Sequence, residues 1–333
     1  MVLQMLMEDV QEVKIDNVEI MNEAKVAIVI VCMNNMKNLV TCLDSIAKYT
    51  KIEHEVWVNA YMFSDENLKI AQEKYPYVHW VINNEIAGFA ENNNMILRQI
   101  KTEYVLVLND DTEFKEPVLD KLMETITQHE EISILSPVLY LADGSVQFCG
   151  RNPITIWDFI MIDTSLADTA KRPSKYINQK GLFQTYNISG ACFLIRMSDF
   201  RELGLFDEYY FFSPEDTALS TLANKKGYQC WVDTNVGVTH YFGKTRKSKV
   251  KQAVLPALRA GCIKFYSEGL LWKSLLLKTI IIIQSTLKTF YFFVKGDIIE
   301  YHAQKNCVAT IFSKMTPKEI FVYYYNQINQ NEK

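Results

Sequence analysis

The feature that most constrains this chain is a strict alternation of short apolar runs and amphipathic stretches between residues 25 and 128. Residues 25–31 (KVAIVIV) are rich in β-branched side chains with no polar alternation, as a strand buried on both faces requires. Residues 38–49 follow, with Leu39, Leu43 and Ile46 at helical spacing. The pair then recurs: strand-like 55–58 precedes helix-like 65–74, which Pro76 ends. Strand-like 78–82 precedes helix-like 92–100, and strand-like 104–108 (YVLVL) precedes helix-like 117–128. Pro117 falls in the first turn of that helix, where its missing N–H costs nothing. Each strand followed by a returning helix predicts an α/β fold, a mostly parallel sheet with helices on both faces.

Beyond residue 128 the pattern loosens. Residues 150–181 have weak periodicity and read as a loop-rich excursion over one end of the sheet. Residues 191–196 (ACFLIR), 230–232 and 236–239 read as further strands. After Gly243 cations accumulate between long apolar stretches, and Glu268 is the only acid between Gly243 and Asp297. The expected organisation is therefore an extension at 1–24, an α/β domain at 25–243 and a helical, basic and apolar region at 244–333. Within 244–295 the mixture of cations and apolar side chains suits a helix lying in a membrane interface. A core-packing helical subdomain with a solvated basic face would read the same way.

The formal net charge of −4 argues against a global attraction to nucleic acid. The seven cysteines form no CxxC pair and no zinc-finger spacing, which predicts buried, reduced thiols in a cytoplasmic protein. The start is a short apolar run followed by Glu8, Asp9 and Glu12, unlike a secretory signal.

In an open parallel sheet, ligands bind at the carboxyl ends of the strands. The run at 104–108 leads directly into Asn109-Asp110-Asp111-Thr112. Adjacent carboxylates there suit a hard cation, Mg2+ or Mn2+, although the same residues also favour a solvated turn. Ser213-Pro214-Glu215-Asp216 opens a helix. Acids at that position are stabilised by the helix dipole, and one at a cleft edge can serve as a general base. His240 ends the last strand and would share the carboxyl edge with Asp111.

Taken in order, these pieces resemble a family 2 glycosyltransferase of the GT-A fold, closest to its bacterial rhamnosyltransferase-like branch. The carrying segments are 29–34 with Leu39 and Leu43, Gly88-Phe89-Ala90 with Asn93-Asn94, and Leu108 to Thr112. Further on come Ser189-Gly190-Ala191-Cys192, Gly204 with Phe206-Asp207-Glu208, Glu215-Asp216, Gly227-Tyr228 and His240. The resemblance implies a Rossmann-like GT-A domain with a C-terminal helical appendage. It implies transfer of a sugar from a nucleotide-sugar donor to a glycan or lipid-linked acceptor at the cytoplasmic face of a membrane. It assigns Asp111 and His240 to a divalent metal, and Asn34, Asp65, Asn93 and Asp110 to the donor nucleotide. It assigns Gly190 and Ala191 to the acceptor, and Asp216, with Glu215 beside it, to the catalytic base. Ala60 stands where the family has a nucleotide-binding Asp, Ile86 where it has Asn, and Ala218 and Leu222 where it has Asp and Arg. Two other classes stay open: a nucleotidyltransferase, and a non-catalytic nucleotide-sugar-binding module. The first would need a Gly-rich basic loop that residues 32–37 (CMNNMK) lack, and the second would bind donor without transfer.

Overall fold

The computed structural model describes residues 24–164, 176, 178–241 and 249–330. The extension at 1–24, apart from Ala24, and the boundary expected at Gly243 lie outside the described residues, as do Lys244, Arg246 and Lys247.

The alternation folds as its periodicity predicts. Strands β1 (Val26–Met33), β2 (His54–Tyr61), β3 (His79–Asn83) and β4 (Tyr104–Asn109) lie parallel, in the order β3-β2-β1-β4. Helices α1 (Met36–Tyr49), α2 (Asp65–Lys74), α3 (Phe89–Leu97) and α4 (Val118–Gln128) follow them. Side chains alternate across β1: Val26, Ile28 and Ile30 join one core, while Ala27 and Val29 join the other. Leu39 and Leu43 of α1 and Leu122 of α4 fill the first core, and Ile96 of α3 fills the second. Both faces are covered, which is why β1 reads as an unbroken apolar run. Helix α3 starts three residues earlier than its apolar periodicity predicts. Its start is set by Gly88, whose N–H donates to the Glu91 carboxylate at 3.0 Å.

The far half of the sheet is mixed. It holds β5 (Thr112–Phe114), β6 (Ile132–Tyr140), β7 (Val146–Phe148), β8 (Leu182–Thr185), β9 (Cys192–Arg196) and β10 (Gln229–His240). The path runs on from β4 as β9-β6-β10-β5, with β7 on β6 and β8 on β10. Strand β6 contains Pro137, and the two short strands expected at 230–232 and 236–239 are one strand, β10. One irregularity explains both departures. The register of β10 against β6 slips between Asp233, opposite Pro137, and Gly237, opposite Val138. A proline without a ladder donor is tolerated at such a bulge, and the bulge breaks the period that would mark a single strand.

The expected excursion at 150–181 contains a helix, α5 (Ile156–Asp163), capped by Thr155 and Asp158, with 165–175 and 177 outside the described residues. Its residues are apolar nearly all round, so no helical stripe shows. Helices α6 (Met197–Glu202) and α7 (Glu215–Lys225) precede β10. Four more close the chain: α8 (Lys251–Ser267), α9 (Leu271–Lys295), α10 (Ile298–Thr310) and α11 (Pro317–Gln330).

These last helices pack on the sheet domain. Phe321 of α11 meets Phe211 with ring centroids 4.8 Å apart, and Lys318 Nζ reaches Glu91 Oε1 on α3 at 2.7 Å. Phe159 of α5 stacks on Tyr266 of α8 at 4.7 Å. Arg259 of α8 is only 2% exposed and joins Asp163 of α5 (3.2 Å), Gln304 of α10 (3.1 Å) and Ser285 of α9. All seven cysteines are buried and free, consistent with reduced thiols.

Candidate active site

The end of β4 delivers Asp110 and Asp111 to the carboxyl edge of the sheet. The antiparallel pairing of β5 with β10 sets Thr112 opposite His240. Tyr241 N–H then donates to the Asp111 carbonyl at 2.8 Å, and His240 Nε2 lies 3.0 Å from Asp111 Oδ1. The other imidazole nitrogen, Nδ1, is 2.8 Å from Gln147 Oε1 on β7. An acceptor on one ring nitrogen fixes the ring and turns the other toward the carboxylate, the arrangement of metal-ligating histidines. Sequence reasoning did not find Gln147, which sits in no motif and reaches His240 only through the β6–β7 hairpin.

Asp110, Asp111 and His240 line a cleft of about 1150 Å³, together with Asn109, Phe89 and Thr41. Burial pushes the Asp110 carboxyl up to about 6; the Cys32 thiol beside it opposes the rise and the Asp111 charge adds to it. A cation in the cleft would reverse that direction. Among the described residues no group of three or more His, Cys, Asp or Glu could by itself cage a metal ion. Asp111 with His240 is a two-residue set. It fits Mg2+ or Mn2+, which are commonly held by one or two protein ligands plus the oxygens of a bound phosphate.

The second acidic station is at the start of α7. Asp216 Oδ2 accepts from Gly190 N–H at 3.1 Å, and Oδ1 accepts from Thr217 N–H at 2.6 Å. Both oxygens are thus oriented, and Asp216 remains partly exposed. Glu215 differs. It is 9% exposed, its Oε2 is buried with no hydrogen-bond partner, and burial, aided by the Asp216 charge, holds its carboxyl well above the usual range. Gly190 links the two stations, because a Cβ there would lie 3.8 Å from Phe89 Cε1 and 3.7 Å from Asp216 Oδ2. Phe89 itself lines the cleft of Asp111 and His240. Gly88 permits this placement, since a Cβ there would come within 2.3 Å of the Phe211 carbonyl oxygen. Ala191 is buried and ties β9 to the site by accepting from Asn109 N–H at 2.9 Å.

Three of the residues expected at the donor nucleotide, Asn34, Asn93 and Asp65, do not line this cleft. Asn34 Oδ1 accepts from Ser64 N–H (3.2 Å) and Asn67 Nδ2 (2.9 Å), holding the start of α2 to the end of β1. Asn93 is buried and donates to the Phe89 carbonyl of its own helix at 2.9 Å. Asp65 is exposed in the first turn of α2, where the helix dipole favours it. Asn35, which caps α1, and Lys37 and Asn38 in its first turn line the cleft.

Known proteins share this architecture. N-acetylglucosaminyl-diphospho-decaprenol L-rhamnosyltransferases from two strains of Mycobacterium tuberculosis (CDC 1551 / Oshkosh and ATCC 25618 / H37Rv) are 23% identical over 209 residues. That match covers 54% of this chain and 63% of theirs, so the chain spans less than two thirds of those relatives' length. GalNAc-T7, solved with UDP, GalNAc and Mn2+, superposes with a TM-score of 0.53 at 18% identity, over 69% of this chain and 47% of that one. The mannosyltransferase PcManGT from Pyrobaculum calidifontis, in complex with GDP-Man and Mn2+, gives 0.50 at 14% identity, over 91% of this chain and 80% of that one. The likeness to these solved structures establishes the GT-A fold that the family resemblance implies. The family model described as glycosyl transferase family 2 matches residues 27–204, from β1 through β9, and on that match the chain belongs to glycosyl transferase family 2.

Proposed function

We propose that this protein transfers a sugar, a hexose or deoxyhexose such as rhamnose, from a nucleotide-sugar donor to a hydroxyl of a glycan or lipid-linked acceptor. The observation that carries this reading is the pair of acidic stations at one sheet edge. Phe89 lines the cleft of Asp111 and His240, and its ring also comes near Gly190, whose N–H aligns Asp216. The mycobacterial relatives are named for an acceptor whose sugar is linked through diphosphate to decaprenol, and we carry over that class of lipid-diphosphate acceptor. The reaction would then serve surface polysaccharide assembly at the cytoplasmic face of the membrane.

The chemistry is a single displacement. Asp216 takes the proton from the acceptor hydroxyl as its oxygen attacks the anomeric carbon. The bond from that carbon to the donor diphosphate breaks, the electron pair leaves with the diphosphate, and the configuration inverts. Asp111 and His240 would hold the divalent metal, which when bound neutralises charge growing on the leaving diphosphate. Gln147 holds the His240 ring in place for that contact. Gly190 orients Asp216 while leaving the acceptor's approach free of a side chain.

A screen of nucleotide sugars for metal-dependent thermal stabilisation identifies the donor, because a ligand that binds only the folded state raises its stability. Asp111→Asn is expected to lower transfer by on the order of 10²- to 10³-fold, the rate equivalent of a few kcal/mol of lost charge stabilisation. Wild-type transfer should stop on chelation and return with Mn2+. Transfer that survives both treatments would remove the metal from the reaction. Gln147→Leu should weaken Mn2+ binding in the presence of a nucleoside diphosphate by about 10- to 100-fold, measured by titration calorimetry. An unchanged affinity would show that Gln147 does not position His240.

A further inference from the structure

Helix α9 has two apolar sides, and only one is covered. Leu277, Ile281 and Ser285, at helical spacing, are buried against the neighbouring helices. On the opposite side Trp272, Ile283, Leu287 (67% exposed), Phe290 (71%) and Val294 (70%) form a stripe facing away from the protein. Two residues outside α9, Ile298 and Phe312, are likewise more than half exposed. A continuous exposed apolar surface of this kind marks an interaction site.

The charges on α9 identify what covers it. The helix carries Lys273, Lys278, Lys288 and Lys295 and no acid at all. At about 100° per residue, Lys273 falls at the border of the exposed stripe and Lys278 and Lys295 behind it, while Lys288 turns to the protein side, where it donates to the Asp163 carbonyl at 3.3 Å. Three of them lie over aromatic rings: Lys273 on Trp272 (5.9 Å), Lys278 on Phe312 (5.5 Å) and Lys295 on Tyr291 (5.7 Å). Apolar side chains bordered by Trp, Tyr and Lys match the layered polarity of a bilayer surface, with cations at anionic headgroups and hydrocarbon below. A second copy of the chain is a poorer partner, since packing stripe on stripe would bring like charges together.

Length and a mean hydropathy of 1.3 would let α9 cross a membrane. Its buried side argues against that. Ser285 holds Arg259 of α8, and Gln284 donates to the Asp163 carbonyl of α5. Crossing would strip these groups, and Lys288 with them, out of the protein and into hydrocarbon.

We infer that the exposed stripe of α9 is a monotopic membrane-binding face that rests on anionic lipid. Lys273 also lines a second cleft of about 1110 Å³ with Lys264, Tyr266 and Leu222 of α7. A membrane-resting α9 sets that cleft at headgroup height. Only this last consequence rests on the proposed lipid-linked acceptor; the membrane face stands without it.

The test is flotation of the full-length protein with phosphatidylcholine vesicles, with and without phosphatidylglycerol. Binding is expected only when phosphatidylglycerol is present and should weaken in high salt. The double variant Leu287→Glu, Phe290→Glu should bind about 10²-fold more weakly, as two exposed side chains lose their burial in lipid. Its thermal midpoint and its catalysis on a water-soluble acceptor should match wild type. A loss of those activities in both proteins would fault the catalytic reading and leave the membrane face intact. Flotation of the variant equal to wild type would overturn the inference. So would equal binding to neutral vesicles, or a wild-type dimer that the variant lacks together with no flotation of either.

Discussion

Asp216→Asn is expected to lower turnover by about 10²- to 10⁴-fold, the usual contribution of a general base, with donor affinity nearly unchanged. Single-turnover transfer and donor titration on the same preparation measure the two effects. Glu215→Gln should leave turnover within a few-fold of wild type. Burial, aided by the Asp216 charge, disfavours the ionised form of Glu215 that a general base needs, and its Oε2 is buried without a partner. The same burial has a stability consequence of defined sign. The folded carboxyl of Glu215 is raised above its unfolded value, so the folded state binds more protons over the interval between them. The stability this contributes is fully present below the unfolded value and is lost as pH rises toward the folded one. Glu215→Gln should therefore gain on wild type in denaturation midpoint as pH rises above the ordinary glutamate range. A crippled Glu215→Gln with a normal Asp216→Asn would reverse the assignment of the base. Normal turnover in both would remove the proposed displacement.

Arg259→Met is expected to destabilise the protein by about 3–5 kcal/mol, the cost of breaking a buried charge pair by removing one partner. Arg259 of α8 is the common partner of three other helices, α5, α9 and α10, and its removal strands Asp163, Ser285 and Gln304 in a buried site. Lysine should recover only part of the loss, since it lacks the planar fork that contacts several acceptors at once. Equilibrium urea denaturation measures the change. A loss below about 1 kcal/mol would place the coupling of α5 to α8–α10 in their apolar contacts alone, Phe159 on Tyr266 above all.

Much of the parallel half was legible because its signals are local. The run at 25–31, the helical spacing of Leu39, Leu43 and Ile46, and the Asp110-Asp111 turn after YVLVL each state their structure within a few residues. What stayed hidden depends on residues far apart. Pro137 obscured β6, and only pairing with the bulge of β10 accommodates it. Asn34 meets Ser64 and Asn67 only once β1 and α2 pack together. Gln147 offers no signal until β7 pairs with β6 and brings it to His240.

The sequence by itself determined the parallel half of the sheet and the acids at its carboxyl edge, since strand and helix periods are read over single elements. Tertiary structure decided which of those acids can do what. Asp111 meets His240 because β5 pairs antiparallel with β10. Glu215 and Asp216 are neighbours in sequence, but α8 closes over the start of α7, where Gly261 comes so near the Ser213 carbonyl that a Cβ would lie 2.8 Å from it. One carboxylate is shut away from water and the other keeps its contact with Gly190. That difference is made by burial, which belongs to the packed molecule and not to either residue.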